Sequence, residues 1–451
     1  MNTSSLTDGL FSSDGMRHIF SDRNTIQRML DVEAALARAL AAEDLIPNTA
    51  VASIVNACRA ELIDADVLAS SVSSAGNLAI PLVKQLTAVV ASKDADAARY
   101  VHWGATSQDV IDTGRVLQLR EAIDLITVDL SELADILASL AHQHATTLVM
   151  GRTWMQHAQP TTLGLKIAGW LDAIMRHQDR LHAVRARVCV LQFGGATGTL
   201  ASLGDRGLSV ATALAKDLSL VLPDLPWHTH RDRMAELATT WGLLTGTLGK
   251  IARDIALHAQ TEIAELAEPV VQGRGGSSTM PHKRNPVACS AVLACAMRVP
   301  ALVSTMLTAM VQEQERAIGG WQAEWETLPE IASLTSSALN QLRGVMSGLS
   351  ANPARMRSNI ELTQGLVMAE AVSLALAQHL GRAVAHELIE EACHSAVESG
   401  RSLLEVLKSD SRISKEFSSS RLADLFDPAC YLGEAPAFIE RVFTHHRQRK
   451  A

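Results

Sequence analysis

Apolar residues recur at alternating steps of four and three along two stretches of the chain. The first runs Leu119, Ile123, Ile126, Leu130, Leu133, Leu137, Leu140, and the second Leu237, Trp241, Leu244, Leu248, Ile251, Ile255. A period of about 3.5 residues held this long predicts long helices whose apolar seams face one another. The second stretch also carries Gly242, Gly246 and Gly249. Glycine inside a helix costs about 1 kcal/mol relative to alanine, so close approach of a neighbouring helix is the expected reason for keeping them. Helical periodicity also marks "TTLGLKIAGWLDAIMRHQDRLHAVRARVCVL" from Thr161 and "VACSAVLACAMRVPALVSTMLTAMVQEQ" from Val287.

These patterns predict a central long-helix bundle over 112–350. Before it, an N-terminal helical domain over 1–111 is broken at "LIPNT" and "SVSSAGNLAIP"; beyond "SANPARM" lies a C-terminal helical domain over 351–451. Composition agrees, since 47% hydrophobic but only 4% aromatic residues favour helices over sheets. The expected fold class is all-α, in three largely helical domains.

A net charge of −8 repels nucleic acid and anionic membranes, so neither is an expected partner, and an anionic ligand would need local cations. The most apolar run, from Ala291, is interrupted by Arg298 and Pro300, which predicts a buried core helix rather than a membrane span. The six cysteines form no CxxC pair, which argues against a zinc site or disulfide framework and for reduced thiols in the cytoplasm. The opening "MNTSSLTDGLFSSDG" has neither the basic nor the apolar region of a signal peptide.

The chemistry concentrates in "GRGGSSTMPHKRNP", Gly273 to Pro286. Glycines at one end give a hinge and prolines stiffen the other, the construction of a lid. It is not a phosphate loop, because Lys283 follows His282 rather than a glycine. "LQFGGATGT" from Leu191 reads as a close-packing turn, not a nucleotide site.

"GSSTMPHKRNP" resembles the signature of the fumarase/aspartase superfamily, which includes argininosuccinate and adenylosuccinate lyases. "HWGATSQDVIDT" from His102 and "GRTWMQHAQPTT" from Gly151 resemble its first and second motifs, in the same order. Within the superfamily the whole chain is most similar to the carboxymuconate cycloisomerase family, through segments such as "LPWHTHRDRMAELA", "WQAEWETLPEI" and "LTQGLVMAEAVSLALAQHLGR". The resemblance implies a homotetramer with active sites shared among three subunits. It also implies a cofactor-free and metal-free lactonisation of a small polycarboxylate in protocatechuate catabolism.

The resemblance makes Ser277 the group that exchanges the Cα proton, with Ser278 the competing choice, and Lys283 the cation supporting it. Asn285, Thr106, Ser107, His102, Thr153, Gln156 and, more remotely, Asn77 become substrate-binding candidates. Arg231 and Arg316 are further cations for a trianion, with Asp232 and Glu315 beside them as possible ion-pair partners. Where the lyases of the superfamily read Arg-Thr-His, this chain has Trp154. A hydratase or an amine-eliminating lyase needs an acid/base there. Lactonisation does not, because its nucleophile is a carboxylate of the substrate, already ionised and tethered. Trp154 as core filler is the plain alternative, and His157, if it shared a helical face with Trp154, would restore a lyase. A fumarate-forming elimination lyase and a non-catalytic helical scaffold are the competing expectations.

Overall fold

The computed structural model describes residues 6–271, 273, 275–276, 279–280 and 282–450. Among them are nineteen α-helices and four short strands, an all-α architecture as the sequence predicts. Chain contacts divide it into two compact units: Met1–Leu130, His177–Gly249 and Ala291–Gln341 form the first, and Ser131–Arg176, Lys250–Ser290 and Leu342–Ala451 the second. Five long helices, Ser107–Gln143, Leu163–Val188, Asp232–His258, Val287–Ala309 and Gly320–Ser347, each give residues to both units. The division therefore cuts across the three consecutive segments read from the sequence.

In the first unit the heptad positions Leu119, Ile123, Ile126, Leu130, Leu237, Trp241, Leu244 and Leu248 are all buried. Helix Asp232–His258 approaches helix Val287–Ala309 closely enough to explain two of its glycines. A Cβ on Gly249 would lie 2.6 Å from the Ala296 Cβ, and one on Gly242 3.0 Å from Val303 Cγ2. Gly246 departs from the expectation, with open space where its Cβ would stand.

Helix Val287–Ala309 is long and apolar enough to cross a membrane by length and composition. Val292, Cys295, Val299 and Met306 are buried, whereas Met297 is 76% exposed and Leu307 49%. The expectation of a buried core helix is thus corrected to one with a single buried face, because its apolar residues encircle it while its neighbours in the unit cover one side.

In the second unit Leu133, Leu137, Ile251 and Ile255 continue the seams in buried positions. Strands β1 (Leu148–Thr153) and β2 (Gln156–Thr162) form an antiparallel hairpin. Its Met150 is buried among Ile360, Val367 and Met368, which anchors the hairpin base. The short strand β3 (Leu266–Ala267), just ahead of the signature loop in sequence, pairs with β4 (Ser350–Ala351). The C-terminal helices close around Leu376, Leu388, Leu403 and Leu407.

Candidate active site

The first motif lies in the first unit, at the start of helix Ser107–Gln143. The chain reaches it through His102 and Gly104, with φ of 61° and 77°. A side chain at Gly104 would be strained by the positive φ, and a Cβ would fall 2.4 Å from Leu203 Cδ2. Thr106 and Asp109 hold the spacing of a capping box. The Asp109 carboxylate accepts the Thr106 N–H at 3.0 Å and the Gly194 and Gly195 N–H groups at 2.9 Å each. It also faces His228 Nε2 at 3.1 Å. The "LQFGGATGT" turn is therefore a packing device bound to the helix start. Thr106 and Ser107, both half-buried, stand with their hydroxyls at the N-terminus of a long helix, a setting that favours anions.

His102, 19% exposed in its side chain, places Nδ1 2.6 Å from Glu33 Oε1. Burial alone would lower its pKa; the charge and hydrogen bond of Glu33, aided by Asp109, outweigh burial and raise it.

The two arginines separate. Arg231 is buried, donating to Asp112 at 2.6 Å and to Glu324 at 2.5 Å, with Trp227 stacked 4.8 Å beneath it. Its expected role as a substrate cation is corrected: two buried carboxylates take the guanidinium, and neither is the Asp232 that adjoins it. Arg316 instead donates to the side chain of Gln108 at 3.0 Å and to the Ala196 carbonyl at 2.8 Å. It is half-buried beside the first motif and, among the described residues, makes no ion pair with Glu315. The Asn77 Oδ1 accepts the Ala79 and Ile80 N–H groups at the start of helix Ala79–Ala91, which leaves its side-chain amide NH2 to donate.

The second motif is the hairpin of the second unit. Trp154 and Met155 form its two-residue turn, with φ of 51° and 65°, the left-handed pair of a type I′ turn that normally draws Asn and Gly. Bulky residues there are strained, and such strain clusters at functional sites. The Trp154 side chain is 97% exposed, so the core-filler alternative is overturned. The helical face shared with His157 is overturned too, since His157 stands on β2 opposite Arg152. Burial, then the Arg152 charge, hold the His157 imidazole below its usual pKa. Thr153 and Gln156 pair across the strand ends and are exposed.

Arg152 fixes the hairpin. Its two terminal nitrogens donate to the Glu265 carboxylate at 2.9 and 2.7 Å. Glu265 also receives His258 Nδ1 at 2.6 Å and Asn359 Nδ2 at 2.8 Å. Burial alone would raise the Glu265 pKa, but these donors bring it down to about 2.

The signature loop leaves β3 and ends at helix Val287–Ala309. The Glu268 carboxylate accepts the Cys289 N–H at 2.7 Å and the Ala288 N–H at 3.2 Å, joining the two ends of the loop. Within it, Asn285 N–H donates to the Gly275 carbonyl at 2.9 Å and Lys283 N–H to the Met280 carbonyl at 3.0 Å. A cavity of about 830 Å³ is lined by Gly275, Met280, Lys283, Asn285 and Glu268, among others. Lys283 and Asn285 are thus brought together, while Ser277 and Ser278 lie outside the described residues.

Sequence reasoning missed Glu33, Asp109, Glu265 and Glu268. Two carried a signal. Asp109 is the fourth residue of the Thr106 capping box, and Glu33 interrupts the apolar stripe Ile26, Met29, Leu30, Leu36, Ala37, Leu40, all of it buried.

Comparison with known proteins assigns the family. The model described as lyase matches residues 10–301, and that of the adenylosuccinate lyase C-terminus matches 365–442. The 3-carboxy-cis,cis-muconate cycloisomerase of Pseudomonas aeruginosa is 55% identical over 98% of this chain and 96% of its own. That of Pseudomonas putida is 54% identical over 93% of this chain and all of its own. The crystal structure of the 3-carboxy-cis,cis-muconate lactonizing enzyme from Pseudomonas putida covers 99% of this chain and 100% of its own, at 52% identity, with a TM-score of 0.95. A full-length likeness at this identity, together with the three motifs in order, means that the chain is an enzyme of the fumarase/aspartase superfamily and belongs to its 3-carboxy-cis,cis-muconate cycloisomerase family.

Proposed function

We propose that the enzyme converts 3-carboxy-cis,cis-muconate to 4-carboxymuconolactone in the protocatechuate branch of aromatic catabolism, without a cofactor. The observation that carries this reading is Trp154, displayed on a strained turn where an acid/base histidine would stand in a lyase. One substrate carboxylate attacks the double bond and forms the ring C–O bond. The displaced π electrons pass to the carbon α to another carboxylate, and Ser277 delivers a proton there. The trianion takes up one proton from solvent overall and becomes a lactone dianion; no group leaves.

Lys283 and Asn285 line the cavity under the signature loop and are assigned to the charge on the reacting carboxylates. Thr106, Ser107 and His102, at a helix N-terminus, are assigned to another carboxylate. Thr153 and Gln156 flank Trp154 as hydrogen-bonding groups, and Arg316 holds Gln108 beside the first motif.

We assign a homotetramer with active sites shared among three subunits. Exposed Met297, Leu307, Val128 and Leu243 on the long helices support this assembly, since apolar side chains so exposed on core helices ask for a partner. The cytoplasm is the compartment assigned, in keeping with six free cysteines, four of them buried.

Proton NMR of the reaction mixture tests the chemistry: lactone ring signals with no fumarate support the proposal. Fumarate released from a succinyl adduct would instead identify an elimination lyase.

A further inference from the structure

Glu33 is a carboxylate in the middle of helix Asp22–Ala42, 1% exposed, in a stripe that is otherwise apolar. An ionised carboxylate so placed is unfavourable unless paired. Its hydrogen-bonding partner among the described residues is the ring of His102, at 2.6 Å. His102 sits in the left-handed backbone region, with φ of 61°, four positions before Thr106. The backbone is bent into an unfavoured conformation for a non-glycine residue, and the ring it carries meets a buried acid.

We infer that Glu33 is a positioning residue for the reaction: it accepts the hydrogen bond of His102 Nδ1–H, fixes the ring, and favours the imidazolium, whose Nε2–H is then offered to a substrate carboxylate. A carboxylate facing one ring nitrogen fixes what the other can do, as in metal sites and hydrolytic triads. The inference rests on the lactonisation reading for its activity assay alone.

The charged and titratable groups facing the pair are few. Asp109, from helix Ser107–Gln143, acts on His102 in the same direction as Glu33. Cys58 lies near Glu33, its thiol pushed far up by burial and by the Glu33 and Asp31 charges, with Arg38 opposing. The thiol therefore stays neutral, and the acids dominate around the imidazole. Since the folded pKa of His102 is raised, the imidazolium is present below it and is lost as pH rises through it.

The test is a pH titration of the native enzyme by histidine NMR, with kcat/KM against pH for wild type, Glu33→Gln, His102→Gln and the double variant. In wild type, the His102 imidazolium should persist to higher pH than in Glu33→Gln, and the alkaline limb of kcat/KM should move acidward in Glu33→Gln. Glu33→Gln should lose about tenfold in kcat/KM at neutral pH, mostly in KM, and should have no further effect in the His102→Gln background. Identical His102 titrations in wild type and Glu33→Gln, or additive losses in the double variant, would overturn the inference. Should Glu33→Gln fail to fold, the wild-type titration still decides: a His102 neutral at Nδ1 at pH 7 refutes it. Should the muconate not react at all, the function falls, while the NMR result on the pair stands by itself.

Discussion

Arg152 and Glu265 meet in a two-pronged ion pair, with both terminal guanidinium nitrogens within 2.9 Å of the carboxylate. Arg152 is the residue before Thr153 in the second motif, and Glu265 lies three positions before Glu268, which ties the ends of the signature loop. In the second unit this pair ties the hairpin to the chain that leads into the loop. Glu265 is fully buried, and His258 and Asn359 saturate what Arg152 leaves of it. Glu265→Gln should therefore destabilise the protein by about 3 kcal/mol, because it leaves the half-buried Arg152 guanidinium without its carboxylate, measurable by urea unfolding at pH 7.

The same group sets an acid limit. Its folded pKa is depressed to about 2, so its contribution is complete above the unfolded carboxylate range and fades as pH falls from about 4 toward 2. Thermal melts across that window should show a steep loss in wild type that is shallower in Glu265→Gln.

Ser277→Ala should reduce turnover about 10²–10⁴-fold, the usual contribution of a positioned proton donor, while circular dichroism and assembly stay as in wild type. Steady-state kinetics near the wild-type level would move the proton transfer to another residue, with Ser278→Ala the next variant to measure.

Trp154→His restores the lyase-type residue on the hairpin turn. It should not accelerate lactonisation, because no leaving group or water needs a proton there. A rate several-fold above wild type would contradict the account of that position.

Met297, 76% exposed on helix Val287–Ala309, tests the assembly. Met297→Glu should shift the sedimentation profile from tetramer toward smaller species and lower activity in parallel. An unchanged tetramer would remove this face from the subunit interface.

The helical skeleton was legible because a 3.5-residue period is a strong and redundant signal: thirteen residues were named for it, and Leu140 alone of them is other than buried. Two of three seam glycines met the neighbouring helix for the same reason. The hairpin was not legible, since Trp154 and Met155 lack the Asn-Gly chemistry that announces a type I′ turn, and the wish to place His157 beside Trp154 assumed a helix. Arg231 and Arg316 looked alike in sequence, each next to an acid. What separated them was burial against Asp112 and Glu324, carboxylates 119 and 93 positions away. Glu265 carried no local signal at all, because its side-chain partners Arg152, His258 and Asn359 come from three different elements.

The most direct test follows the conjugated-diene absorbance of 3-carboxy-cis,cis-muconate on adding enzyme in the presence of chelator, with adenylosuccinate and argininosuccinate in parallel. Rapid loss of the diene, with both succinyl adducts inert, is the predicted result. A persistent diene alongside fumarate release from either adduct would contradict the assignment and the reading of Trp154 with it.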